Sequence, residues 1–170
     1  MKEILLLLID LIKKTSAVRY VAEDYGQIDF TPEERGTYPV KFPCALISVT
    51  NIEYSAQGRY TDTAVATIAI RVANDPVSIA SGKAPDRHKQ QAFAILDVIE
   101  AIDSAVHGYK GDTFKQLQRK GIQKAIREDC LREYTMFFQT SYVIEEEKRL
   151  RPLPTPPNIT AHRYQKGSDI

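Results

Sequence analysis

A chain of 170 residues that is 43% apolar and 26% charged falls in the ordinary globular class, and its length suits one domain that buries roughly 70% of its unfolded surface without disulfides. Its formal charge of +1 argues against a domain whose main task is gripping nucleic acid, since that task usually leaves a clear basic excess. The balance is uneven: from Lys148 onward five Lys or Arg stand against one Asp, a net of +4 that leaves residues 1–147 at −3.

The opening MKEILLLLIDLIKK predicts a helix over about residues 2–15, with Ile4, Leu5, Leu8, Leu11 and Ile12 on one stripe and Leu6, Leu7 and Ile9 spreading apolarity around the rest. It reads neither as a secretory signal nor as a membrane span. Asp10 interrupts the apolar run, no small-residue cleavage site follows, and a span needs about 20 apolar residues. A helix apolar around so much of its circumference wants more than one neighbour, in its own domain or in another subunit. Residues 20–43 lack periodicity and carry Gly26, Pro32, Gly36, Pro39 and Pro43, which predicts a long loop with room for a short strand near Tyr38 to Phe42.

Beyond Pro43 the segments CALISVTNIEY (44–54) and TDTAVATIAIRVA (61–73) alternate around the polar SAQGRY, and predict a β-hairpin with long arms. Eleven residues at about 3.3 Å give roughly 36 Å, while a compact domain of this size has a radius of gyration of about 15 Å. The hairpin therefore crosses the whole domain or projects from it. On the second strand Ala64, Ala66, Ile68, Ile70 and Val72 make a core face. The opposite face, Thr61, Thr63, Val65, Thr67, Ala69 and Arg71, is small and uncharged for most of its length.

A helix from about Asp86 to His107 follows, with Asp86 as N-cap and Gly108 as C′ residue. Ala92, Ile95, Leu96, Ile99, Ile102 and Val106 form its apolar stripe, opposed by Lys89, Asp97, Glu100 and Asp103. Residues 112–130 fit either a short helix or an irregular strand, because Gly121 interrupts both. The stretch EYTMFFQTSYVIEE (133–146) reads as a strand with Tyr134, Met136, Phe138, Tyr142 and Ile144 on one face. The expected fold is α+β: a mainly antiparallel sheet with a long hairpin and helices packed on one face. It spans residues 1–147 as one domain, and 148–170 follow as an extended, basic, proline-rich arm. In RPLPTPPN four prolines exclude a helix or central strand.

Chemistry is sparse. The chain has no GxGxxG, P-loop, GxSxG or HExxH motif, and nothing in the spacing of His88, His107 and His162 makes them converge. Cys44 and Cys130 lack metal or redox spacing and read as buried free thiols in a reducing cytoplasm. The acidic clusters Glu33–Glu34, Glu128–Asp129 and Glu145–Glu147 read as solvated edges. So does the basic strip of Lys115, Arg119, Lys120, Lys124 and Arg127. No enzymatic activity, cofactor or metal is expected.

The order of elements, with the hairpin SVTNIEYSAQGRYTDTAVATIAIRVA, the helix AFAILDVIEAID and the closing TFKQLQRKGIQKAIREDCLREYTMFFQTSY, resembles bacteriophage tail-terminator, tail-completion and head–tail joining proteins over about residues 1–145. That resemblance implies a non-enzymatic homo-oligomeric ring, commonly a hexamer, that caps or joins the tail tube. It would meet tail tube or head-connector proteins in a virion assembled in the bacterial host cytoplasm, from an active phage or a prophage. No specific nucleic acid or membrane partner is implied. The subunit contacts expected are Leu6 and Leu7 on the first helix, Gln57, Gly58, Arg59 and Tyr60 at the hairpin loop, Thr63 and Thr67 on its second face, and Arg151, Pro152, Pro154, Pro156 and Pro157 on the arm. Two alternatives stand beside it: a small metal-dependent enzyme acting on phosphate esters, drawn from the acidic and basic clusters, and an adaptor that docks a partner through its proline-rich tail.

Overall fold

The computed structural model describes residues 2–30, 40–56, 61–75, 85–127 and 131–145. Two helices, α1 (Lys2–Lys14) and α2 (Asp86–Val106), pack on one face of a five-stranded sheet made of β1 (Tyr20–Glu23), β2 (Cys44–Ala56), β3 (Thr61–Asn74), β4 (Gln118–Ala125) and β5 (Arg132–Glu145). The strand order is β1-β2-β3-β5-β4. All pairings are antiparallel except that of β1 with β2. The α+β architecture is the one the alternation and the helical stripes dictate.

The four-residue spacing of Ile4, Leu8 and Ile12 places them on one side of α1, where all three are buried. Lys13 and Lys14 fall in its last turn, where cations suit the helix dipole. The helix stops as Thr15 Oγ1 donates to the Ile12 carbonyl at 2.7 Å and Ser16 turns to a φ of 56°. On α2 the buried stripe is Ala92, Ile95, Val98, Ile99, Ile102 and Val106. These side chains meet Ala45 and Ile47 of β2, Ile68, Ile70 and Val72 of β3, and Met136 and Phe138 of β5 in one apolar cluster. Gly108, at φ +82°, closes α2 as expected, and its N–H reaches the Leu117 carbonyl at 2.9 Å, which starts the chain toward β4.

Strands β2 and β3 pair from Cys44↔Ala73 to Ala56↔Asp62, with a bulge between Val49 and Asn51. The extra residue changes which positions of β2 face the helices. Before it these are Ala45, Ile47 and Val49; beyond it they are Ile52 and Tyr54, opposite Ala66 and Ala64. The burial of β2 falls away past this point, and Glu53, Tyr54, Ser55 and Ala56 are all exposed. Six residue pairs, Asn51↔Thr67 through Ala56↔Asp62, thus run beyond the centre of the core. At about 3.4 Å per residue they form an arm of sheet about 20 Å long, widened by the end of β5, whose Tyr142 and Val143 pair with Ala64 and Thr63.

Several local expectations change. The long loop over 20–43 contains a strand at its start, β1, while residues 40–43 are irregular. Four residues are too few for a periodicity signal, and their stability comes from pairing with Cys44–Ile47. Residues 31–39 lie outside the described residues. Asp86 is not the N-cap: Pro85 occupies that position, and Asp86 belongs to the first turn. Leu96 leaves the buried stripe and is 44% exposed, because it stands on the flank of α2 that borders an open groove with Lys124, Arg132 and Tyr134. Between 112 and 127 the irregular strand is realised as β4, whose register shifts between Arg119 and Gly121. Cys44 is fully buried; Cys130 lies outside the described residues.

Candidate functional site

The helix-free face of the sheet is closed at one end by the chain itself. Ile28 packs with Cys44, Leu46 and Ala73 in a second apolar cluster edged by Tyr20, Ala22, Val40 and Phe42. Beside it, Arg71 and Arg127 hold three carboxylates. Arg71 Nε donates to Glu133 Oε1 at 2.7 Å, its Nη1 to Asp24 Oδ2 at 3.1 Å, and its Nη2 to Asp29 Oδ1 at 3.0 Å. Arg127 Nη1 donates to Glu133 Oε2 at 2.8 Å, and its Nη2 to the Ile28 carbonyl at 3.1 Å.

Glu133 is the most enclosed member, with 5% of its side chain exposed. A carboxylate so buried needs a partner, and the two guanidiniums supply it on both oxygens. Burial of Asp29 works to raise its pKa, but the hydrogen bonds from Arg71 and Arg127 outweigh that and hold it below the ordinary carboxylate value. Burial opposes the charge on Arg71, yet Glu133 and Asp29 hold it more firmly protonated than a free guanidinium. Burial pushes the Cys44 thiol up to about 12, so it is no nucleophile at neutral pH. Every side chain of this cluster is engaged by another, and the cluster acts as a clip that fixes residues 24–30 to the sheet.

Far from the clip the sheet arm offers a different surface. On its helix side Tyr54 and Tyr142 flank Ala64. Burial and the neighbouring Tyr54 raise the pKa of Tyr142. Tyr54 remains 62% exposed and Val143, on the opposite face, 54% exposed. The described arm residues 49–56, 61–67 and 139–145 include Glu53, Asp62 and Glu145 and no Lys or Arg. Across the molecule, a groove of about 280 Å³ runs between α2 and the β4 edge, lined by Ala92, Phe93, Ile95, Leu96, Lys124, Arg132 and Tyr134. Phe93 is 54% exposed, and Ile122 on β4 is 46% exposed. Arg132 Nη1 donates to the Ala92 carbonyl and ties β5 to α2.

Of the expected contact residues, Leu6 is 51% exposed on the outer side of α1, while Leu7 is half-buried against the core. Thr63 and Thr67 are half-buried on the arm. Gln57, Gly58, Arg59 and Tyr60, and Arg151, Pro152, Pro154, Pro156 and Pro157, lie outside the described residues. Within the basic strip, Arg119 pairs with Asp103 at 2.5 Å and Arg127 belongs to the clip, while Lys115, Lys120 and Lys124 are exposed. His107 at the end of α2 accepts on Nδ1 from the Arg119 amide at 3.3 Å. The clip is absent from the sequence-based expectations; its signal was the one Arg on an otherwise uncharged inner run of β3.

No family model matches this chain, and no curated protein matches it. Among solved structures, a chain from the virion of a native gene transfer agent particle is similar, at 14% identity over 81% of this chain and 85% of that one, with a TM-score of 0.45.

Proposed function

We propose that this chain is a structural subunit of a phage or prophage head–tail or tail assembly, in which copies form a ring that terminates or joins the tail tube. The observation that carries this reading is the sheet arm. About 20 Å of three-stranded sheet reaches beyond the centre of the core, with Ala64 and Ala66 still buried on β3 and Tyr54 and Val143 exposed on its two faces. Apolar groups held out on a rigid extension gain by meeting another surface. An arm at one end of a molecule meeting a groove at the other makes a heterologous contact, the kind that closes into rings. The hairpin loop, the outer side of α1 and the basic segment 148–170 complete the proposed contact set, with tail tube or head-connector proteins as further partners.

Among the described residues the phosphate-ester alternative has no observation in its favour. Asp24, Asp29 and Glu133 are committed to Arg71 and Arg127, and Glu33–Glu34 and Glu128–Asp129 lie outside the described residues. Light scattering and negative-stain imaging over a concentration series, with and without tail tube protein, test the proposal. Discrete rings are the expected result, and a strict monomer under all conditions overturns it.

A further inference from the structure

We infer that neighbouring copies join edge to edge, β2 of one subunit adding to β4 of the next, so that a continuous sheet crosses the subunit boundary with the helices on one side. The inference rests on the assembly reading above and specifies its interface.

Among the described residues β2 and β4 each have a stretch of edge with no strand beside it, and the two stretches lie at different heights. β1 pairs only with Cys44–Ile47, so β2 has no strand on its outer side from Ser48 to Ala56 among the described residues. At the other border, β4 pairs only with β5. The turn after α2 covers the beginning of that border: Leu117 exchanges hydrogen bonds with Gly108 and Tyr109, and His107 accepts from the Arg119 amide. From Lys120 to Ala125 no strand lies beyond it among the described residues. An open row of backbone donors and acceptors is a template for another strand.

The two edges complement one another. The free part of β2, SVTNIEYSA, carries Glu53 and no base, whereas β4, QRKGIQKA, carries Arg119, Lys120 and Lys124 and no acid. Lysines on an edge discourage indiscriminate pairing; in the joined sheet Glu53, opposite Val65, lies on the helix-free side and Lys124, opposite Tyr134, on the helix side, so the two strands attract through their opposite net charge and not through a direct ion pair. The apolar residues also correspond. On the helix side β2 presents Ile52 and Tyr54, and β4 presents Ile122 beside the groove of Phe93, Leu96 and Tyr134. A tyrosine side chain entering a space of about 280 Å³ would bury its ring against Phe93 and Leu96.

Strand polarity fits as well. Antiparallel pairings from β2 through β3 and β5 to β4 leave β4 antiparallel to β2. A copy displaced sideways, without being turned over, therefore meets its neighbour in an antiparallel ladder with both helix layers on the same side. β4 lies level with β2 residues 44–51 through the shared register, while the open edge of β2 is 48–56. Each copy must then shift along the strand direction, and stagger with strand tilt is the condition for closing a sheet into a ring.

The test uses the full chain. With p-benzoylphenylalanine in place of Ile122, a mixture of isotopically heavy and light copies should give crosslinks between copies onto residues 48–56. Charge-reversed chains separate this geometry from general stickiness. Glu53→Lys alone and Lys120→Glu/Lys124→Glu alone should each weaken association roughly twofold or more at low salt and less at high salt, as two strands of like net charge are brought together. An equimolar mixture of the two should regain it, because each then offers the other a complementary edge. Circular dichroism of each variant establishes that it is folded, and a conservative pair, Glu53→Gln with Lys124→Gln, serves if a reversal is not. Association that persists with crosslinks onto other surfaces, or without recovery on mixing, overturns the β2–β4 interface and leaves the assembly reading standing. A strict monomer at every concentration overturns both.

Discussion

Arg71 is the residue on which the helix-free side of the sheet depends. It stands on β3, with 20% of its side chain exposed, and reaches three carboxylates, Asp24 and Asp29 from one segment and Glu133 from β5. Removing it leaves Glu133 buried with Arg127 as its remaining partner in the clip. Arg71→Met should therefore cost about 2–4 kcal/mol, below the full penalty for orphaning a buried charge because Arg127 stays in place. Acid acts on the same cluster. Asp29 titrates below its ordinary value of 3.8 in the folded protein, so the unfolded chain binds the proton more readily. The stabilisation is complete above pH ~4 and is lost as pH falls through the lower folded value. Urea denaturation from pH 7 to 3 should show stability declining at the acid end, with a shallower decline in Arg71→Met, whose Asp29 has lost one of the two guanidiniums that depress it. Equal slopes would mean that the clip is not electrostatic in origin.

At the level of elements, α1 separates what is held inside the subunit from what it turns outward. Leu8 is fully buried and Leu6 is 51% exposed, two positions apart on one helix. Leu8→Ala should cost about 2–5 kcal/mol, the range for a buried leucine whose surroundings cannot collapse. Leu6→Ala should change stability by less than ~0.5 kcal/mol, as at most surface positions. Thermal unfolding of the pair checks this, and comparable losses would show that α1 is packed on both sides within one copy. The stripe that sets Leu8 inside was legible in the sequence, as were α2 and the strands β2, β3 and β5, because each is long enough for its period to repeat. β1 and β4 were not so legible. Four residues of β1 hold no period, and β4 is exposed at Lys120, Ile122 and Lys124, so its place in the sheet comes from β5 and not from its own pattern. The clip was hidden for a related reason: Asp24 with Asp29, Arg71, and Arg127 with Glu133 fall in three well-separated stretches of sequence, and only the sheet brings them together.

For the whole molecule, the division between a closed end and an open arm decides where association energy can come from. The end held by Arg71 satisfies its charged groups within the chain, while Tyr25 and Ile126 beside it stay exposed and the groove at Arg132 and Tyr134 opens next to it, so what a second copy gains there is apolar contact. The arm holds Tyr54 mostly exposed on a sheet fixed by its ladder to β3, and the ordering of its backbone is completed on folding. A rigid aromatic of this kind costs little further entropy on contact, which is why tyrosine is so often a dominant interface residue. Tyr54→Ser should consequently separate two quantities. Subunit stability should fall by no more than about 1 kcal/mol, because most of the ring is already in water. The concentration at the midpoint of association should rise roughly tenfold or more, as for an interface anchor. Sedimentation velocity over a dilution series reads the second and urea denaturation of the dissociated subunit reads the first. A midpoint unchanged from the parent would place the contact away from the arm, and a loss of stability as large as that of Leu8→Ala would make Tyr54 part of the fold.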